Sequence, residues 1–154
     1  MNYWLIKSEP DVFSIDALAA APKQITSWDG VRNYQVRNMM RDTMQVGDLA
    51  FFYHSSCPNP GIAGIVTINS AAYPDATQFD RKHDHYDAAS ERDNPRWLMI
   101  DVKLHRKLKR IITLEELRRH EKQELKQLLI LKRGNRLSIT PVDATDWHFI
   151  INLE

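Results

Sequence analysis

The segment SWDGVRNYQVRN, residues 27–38, gathers a tryptophan, several amides and two arginines around one glycine. Trp28 precedes Asp29-Gly30, a dipeptide that is typical of turns. A tryptophan on a turn can present an open ring face, and stacking of a base on such a face is worth ~1–3 kcal/mol. Packing of Trp28 into the core is the alternative, and the residue types leave both possibilities open.

The other polar residues of this segment could contact the rest of a nucleotide. Asn33 and Gln35 carry amides, which donate and accept hydrogen bonds at once, as reading a base edge requires. Arg32 and Arg37 can pair with phosphate. Tyr34 adds an aromatic ring between them. Solvated arginines on a helix face are the alternative.

Two further segments place polar or aromatic side chains at the ends of predicted strands. Residues 7–10, KSEP, follow the first strand, where an ammonium, a hydroxyl and a carboxylate could be held at a cavity mouth. Plain turn chemistry is the alternative. Tyr53 and His54 end the strand LAFFYH and face opposite sides of it, so either could add a wall to a site. A core strand with a satisfied histidine is the alternative.

His83-Asp84-His85, with Asp80 and Asp87 nearby, has residue types that bind zinc. No compact third-ligand motif supports the pair, so we expect a solvated acidic loop and no metal. The chain also lacks a phosphate-binding loop, a dinucleotide fingerprint and the common hydrolase motifs. We therefore expect no cofactor.

Composition indicates one globular domain over residues 1–154, with 43% hydrophobic and 27% charged residues. The net charge of +1 argues against nucleic-acid binding through bulk charge alone, although KLHRKLKR at 103–110 forms a local basic stretch. The lone Cys57 cannot form an internal disulfide, and the first residues do not resemble a secretory signal. We expect a cytoplasmic location.

The predicted strands do not alternate regularly with helices, which argues against a doubly wound parallel sheet. The pattern favours an α+β fold: a small, mostly antiparallel barrel or curled sheet flanked by helices. The predicted elements are strands at 3–7, 49–54, 62–68 and 97–108, helices after Ser14, over 32–43, from Leu114 and over 121–131, a polar loop over 74–96, a short strand ended by Pro141, and a final helix.

Several segments together resemble the EVE domain family. They are YWLIKSEPDVFSIDAL, WDGVRNYQVRN, VGDLAFFYHSS, GIAGIV and RLSITPV, in the family's order over nearly the whole chain. The resemblance implies a PUA-like fold, a small mostly antiparallel β-barrel flanked by helices. EVE domains are similar to YTH domains, which read a methylated adenine of RNA in an aromatic cage. The single-domain length looks more like that of a bacterial member.

The resemblance implies a non-catalytic module that binds a modified base, for example a methylated cytosine, in DNA or RNA. By analogy with YTH domains, Lys7-Ser8 and Trp28 occupy corresponding places. The base pocket would be formed by Lys7, Ser8, Glu9, Trp28, Asn33, Tyr34, Gln35, Tyr53 and His54, and the phosphate contacts by Arg32 and Arg37.

Two other functions remain open from the sequence. One is an enzyme or binding protein for a nucleotide-like small molecule in the same pocket. In an enzyme, Lys7, Glu9 and His54 would do acid–base work. The other is an adaptor whose loop at 74–96 binds a protein partner, because long loops in compact domains are usually functional or mobile.

Overall fold

The computed structural model describes all 154 residues as a mixed α+β domain built on one seven-stranded sheet. The strands are β1 (Tyr3–Ser8), β2 (Ile25–Trp28), β3 (Leu49–His54), β4 (Gly61–Ile68), β5 (Tyr73–Pro74), β6 (Leu98–Thr113) and β7 (Ile139–Val142). The helices are α1 (Ile15–Ala20), α2 (Tyr34–Asp42), α3 (Leu114–Arg118) and α4 (Ala144–Leu153). None of the helices has the length and apolar character that a membrane span needs.

The sheet has the strand order β2-β6-β4-β3-β1-β7, with β5 paired to β6 beside this path. Only the β1–β3 pair is parallel, so the prediction of a mostly antiparallel sheet is confirmed. The strands at the two ends, β2 and β7, do not pair with each other. The sheet is therefore open, and the predicted closed PUA-like barrel is not confirmed.

Two hydrophobic clusters pack on the two sides of the sheet. Alternate residues of a strand face opposite sides, so Phe52 of β3 belongs to the first cluster and Phe51 and Tyr53 to the second. The first cluster also includes residues from α1 and α2. Trp147 of α4 stacks on Phe51 in the second, with ring centroids 3.8 Å apart. The first cluster borders the candidate site.

The predicted helix over 121–131 is wrong. Much of this segment consists of turns closed by backbone hydrogen bonds between residues three apart, and it ends in a 3-10 turn at Leu129–Leu131. Leu125, Leu128 and Leu131 are all buried in the second cluster. Side chains spaced by three align on one face of such turns, so burial of the leucines overrides the helix preference of the intervening residues.

The strand predictions also need correction. Pro141 does not end its strand but lies inside β7, opposite Trp4. A proline is tolerated there because β7 is an edge strand with a single neighbour. β6 continues to Thr113, past the predicted end at residue 108. The short strands β2 and β5 have no counterpart among the predicted strands; near β2 the sequence predicts only the turn that follows Trp28.

The predicted helix starts agree more closely with the structure. The Ser14 hydroxyl accepts the Ala17 N–H at the start of α1, as expected for a helix cap. The Thr113 side chain likewise accepts the Glu116 N–H at the start of α3. The helix predicted over 32–43 begins two residues later, at Tyr34.

Candidate functional site

A cavity of ≈ 640 Å³ lies between two edges of the open sheet. Residues 26–31, from β2 and the loop after it, form one wall. Residues 7–9 at the end of β1, with Ser138 just before β7, form another. Val12, Phe13 and His85 complete the lining. A volume of this size is typical of sites for small molecules or for a single residue of a polymer.

Trp28 is partly buried and connects the core to the cavity. Its ring meets Phe52 edge to face, with centroids 5.6 Å apart and planes at 81°. The backbone of Trp28 is paired with Ile100 of β6. The side chain also lines the cavity. The sequence left core packing and a role in the cavity as alternatives for Trp28. In the structure its side chain does both.

The polar groups of the cavity include both hydrogen-bond donors and acceptors. Lys7 is half-buried and forms no salt bridge, and burial lowers the pKa of its ammonium group. Glu9 and Asp29 are exposed and contribute carboxylates. The Ser8 hydroxyl donates to the Phe13 carbonyl at 2.5 Å, which leaves its oxygen able to accept.

The loop after Trp28 is held by the buried carboxylate of Asp75. This side chain is 0% exposed and accepts the Gly30 N–H at 2.8 Å. It also accepts the Thr77 N–H at 2.9 Å, the Thr77 hydroxyl at 2.6 Å and the Arg32 guanidinium at 3.2 Å. Burial acts to raise the pKa of Asp75, but these hydrogen bonds outweigh it and hold the pKa below its ordinary value.

The guanidinium group of Arg32 is occupied by hydrogen bonds to other groups of the protein. Besides Asp75 it donates to the backbone carbonyl of His85, at 2.7 and 3.1 Å, and to the Thr77 hydroxyl at 3.2 Å. It also lies over the ring of Trp97, 5.4 Å from the centroid. These contacts fix His85 at the cavity wall. The loop at 74–96 is therefore a hydrogen-bonded part of the candidate site.

The predicted residues near the start of α2 do not line the cavity. Asn33 caps the helix: its side-chain oxygen accepts the N–H three residues ahead at 3.0 Å. Tyr34 is 50% exposed and stacks on Trp97, with centroids 4.8 Å apart. Arg37 covers the Tyr34 ring at 4.7 Å, and Gln35 is exposed on the helix.

Tyr53 and His54 are buried in β3 and also lie outside the cavity lining. Tyr53 belongs to the second cluster, and burial raises its pKa to about 12. The His54 Nε2 accepts the Ile15 N–H at 3.1 Å, at the start of α1, and burial lowers its pKa. Of the predicted pocket residues, the structure thus brings together only Lys7, Ser8, Glu9 and Trp28.

His83 and His85, the two histidines of the acidic loop, make different contacts. The Nδ1 of His83 accepts the His85 N–H at 3.0 Å, while the Nδ1 of His85 is buried without a hydrogen-bond partner. Asp87 accepts the indole N–H of Trp97 at 2.7 Å. No group of three or more His, Cys, Asp or Glu side chains is placed to hold a metal ion.

Replacing Gly30 with alanine is expected to lower the free energy of unfolding by more than the ~1–2 kcal/mol of a left-handed alanine, because the His85 ring must also move. Gly30 has φ +79°, and an added Cβ would collide with the His85 ring, lying 2.8 Å from its Nδ1. Gly47 is the matched control, since its φ is +95° but no atom lies within 4 Å of an added Cβ. Gly47→Ala should cost only the ~1–2 kcal/mol of the left-handed backbone. Urea unfolding measures both, and equal losses would contradict the close packing of His85 on Gly30.

Comparison with known proteins identifies one family and several relatives of similar sequence. The model of the EVE domain family matches residues 2–153. Human thymocyte nuclear protein 1 is 46% identical over an alignment of 168 residues, which covers 99% of this chain and 74% of that protein. An uncharacterised Schizosaccharomyces pombe protein is 38% identical, with 99% of this chain and 68% of that protein covered.

Several solved structures have a fold similar to that of this chain. The crystal structure of human THYN1 protein in complex with 5-methylcytosine-containing DNA has a TM-score of 0.94 to this chain, at 46% identity. The match covers 99% of this chain and 97% of that one. A Pseudomonas putida protein has a TM-score of 0.90 at 47% identity, with 98% of each chain covered.

Proposed function

The chain belongs to the EVE domain family, and we propose that it binds nucleic acid and holds a modified base in the cavity beside Trp28. The observation that carries the proposal is the partly buried Trp28 ring, which lines the cavity and packs at nearly a right angle to Phe52. The human THYN1 protein of similar structure was solved with DNA that contains 5-methylcytosine. That modified base is therefore the first ligand to test.

A base that enters the cavity must first leave its neighbours in the strand. Extrusion from a duplex costs a few kcal/mol, and stacking on Trp28 offsets ~1–3 kcal/mol of that cost. Burial of one methyl group adds only ~1 kcal/mol, so preference for a methylated base depends on a close fit. Val31, which is 4% exposed, and Phe13 are apolar lining residues available for that contact.

The remaining lining groups complement the edge of a cytosine. The base presents an exocyclic amino group, which Glu9 or Asp29 can accept. Lys7 can donate to its ring acceptors, and Ser8 can accept through its free lone pairs. β2 is an edge strand, so part of its backbone is also unpaired on the side away from β6.

A nucleotide-like small molecule in the same cavity is the second candidate, favoured by the cavity's volume of ≈ 640 Å³. Lys7 and Glu9 line the cavity, but His54, the third acid–base group expected for an enzyme, does not. Recognition of RNA, a cytoplasmic location and a bacterial origin stay predictions from the sequence.

The proposal predicts about fivefold tighter binding to DNA with 5-methylcytosine than to the same DNA with cytosine, as expected for the ~1 kcal/mol of one buried methyl group. Fluorescence anisotropy of labelled oligonucleotides at fixed low salt measures both dissociation constants. Parallel series with 5-hydroxymethylcytosine, N6-methyladenine and RNA strands identify the preferred base and polymer. Equal weak binding to every strand, abolished by moderate salt, would indicate backbone electrostatics alone and would contradict the proposal. Competition by free mononucleotides tests the second candidate.

A further inference from the structure

The loop at residues 132–136 has the sequence KRGNR, and we call it the basic loop. Its positive charges are not neutralised by acidic side chains. Its three cationic side chains are exposed: Lys132, Arg133 and Arg136. No Asp or Glu occurs between Glu124 and Asp143, and none of the three cations forms a salt bridge. Most other regions of the chain mix both charges.

The basic loop leads directly into the cavity wall. Leu131 before it is buried in the second cluster, whereas Leu137 after it packs on the first, so the loop passes around the edge of the sheet. Ser138 follows and lines the cavity, and its carbonyl accepts the Lys7 N–H at 2.9 Å. The Cα of Arg136 lies at most ~7 Å from that of Ser138, so its guanidinium can reach the mouth of the cavity.

The arginines singled out by the sequence for phosphate are engaged elsewhere. Arg32 is bound to Asp75 and to the carbonyl of His85. Arg37 donates to the side chain of Asn38, at 2.8 and 3.1 Å, and to a backbone carbonyl at 3.1 Å. The guanidinium groups of Arg32 and Arg37 are thus held by protein acceptors, and they are less free to bind phosphate than those of the basic loop. A phosphate partner for the strand must therefore be sought at other cations near the cavity.

We propose that the basic loop contacts the phosphates of the DNA strand that flank the base held in the cavity. This inference rests on the proposed function, because a base in the cavity brings its neighbouring phosphates to the mouth. Arginine pairs with phosphate through two parallel hydrogen bonds. Such contacts position the strand and add affinity, but they do not read the base. The basic loop thus supplies affinity for DNA of any modification state, and the cavity supplies the preference.

The test is the salt dependence of DNA binding by the Arg133→Ala/Arg136→Ala variant of the whole chain. Dissociation constants for one duplex, with cytosine or 5-methylcytosine at the same position, are measured over a series of salt concentrations. Each lost phosphate contact lowers the slope of log affinity against log salt by ~0.9, so the double variant should lose ~1.8. Its affinity for both duplexes should fall by the same factor, at least tenfold at low salt, with the methyl preference unchanged.

The control is Arg41→Ala, which removes one charge from an exposed cation near the end of α2. Two residues further on, the Thr43 carbonyl accepts a hydrogen bond from the Asn2 side chain at the start of β1, whereas the cavity lies at the other end of β1. The control should keep the slope, as should the charge-conserving Arg133→Lys/Arg136→Lys variant. Equal slope changes in the double alanine variant and the control, or no change in either, would overturn the inference. Absence of methyl preference in the unmodified protein would instead overturn the proposed function.

Discussion

Trp28→Leu is expected to weaken binding to 5-methylcytosine DNA by about 5- to 150-fold. The variant removes the ring face on which the base stacks, a contact of ~1–3 kcal/mol, and each ~1.4 kcal/mol is tenfold in affinity. Leucine retains an apolar contact with Phe52, so the free energy of unfolding should change much less than for alanine. Anisotropy titration gives the affinity, and urea unfolding gives the stability.

Tyr34→Leu is the control for this prediction. Tyr34 is an aromatic residue that is 50% exposed but lies outside the cavity, stacked on Trp97. Its replacement should leave the affinity and the methyl preference unchanged. Trp28→Phe should fall between the unmodified protein and Trp28→Leu, because it keeps a smaller ring. Equal losses for Trp28→Leu and Tyr34→Leu, or no loss for either, would contradict the assigned role of Trp28.

Asp75→Asn is expected to lower the free energy of unfolding by ~2–4 kcal/mol at pH 7. The carboxylate is fully buried and satisfies donors from Gly30, Thr77 and Arg32. An amide of the same shape turns one acceptor into a donor and leaves Arg32 without its charge partner, a change that is costly in a buried site. Urea unfolding measures the loss. Thr145→Ala, at an exposed position on α4, is a control that should change stability by less than ~0.5 kcal/mol.

The pH dependence of this difference follows from the lowered pKa of Asp75. A carboxyl group with a lower pKa in the folded state stabilises the protein above its unfolded pKa of ~3.9. That contribution is lost as pH falls through the folded pKa. The stability gap between the unmodified protein and Asp75→Asn should therefore be constant from pH 7 to 5 and shrink below about pH 4. A gap that stays constant to pH 3 would contradict the ionised, hydrogen-bonded state of Asp75.

The parts of the cavity that could be predicted from the sequence carry local signals. Lys7, Ser8 and Glu9 stand at the end of a predicted strand, and Trp28 precedes a turn dipeptide. Asp75 could not be found in this way, because it holds Gly30 across 45 residues of sequence. Only the folded chain shows that its carboxylate is buried, although an Asp two residues before a Thr is a common local cap.

The same division between local and long-range information appears in the fold. β3 was predicted with its observed ends, Leu49–His54, because a run of aromatic and apolar residues is bounded by turns. The sequence predicts a helix at 121–131 where the structure has turns, since only tertiary packing decides how the leucines of this segment are buried. Whether the sheet closes depends on contacts between β2 and β7, which no local pattern reveals.

The site itself is tested most directly by mapping backbone amide NMR shifts of the ¹⁵N-labelled protein as a 5-methylcytosine oligonucleotide is added. The largest shifts should fall on residues 7–9, on residues 27–31 with the Trp28 indole N–H, and on His85 and Ser138. The same strand with cytosine should produce smaller shifts there. Shifts confined to exposed basic residues, or centred on Tyr53 in the second cluster with the Trp28 signals unmoved, would contradict a base-binding cavity beside Trp28.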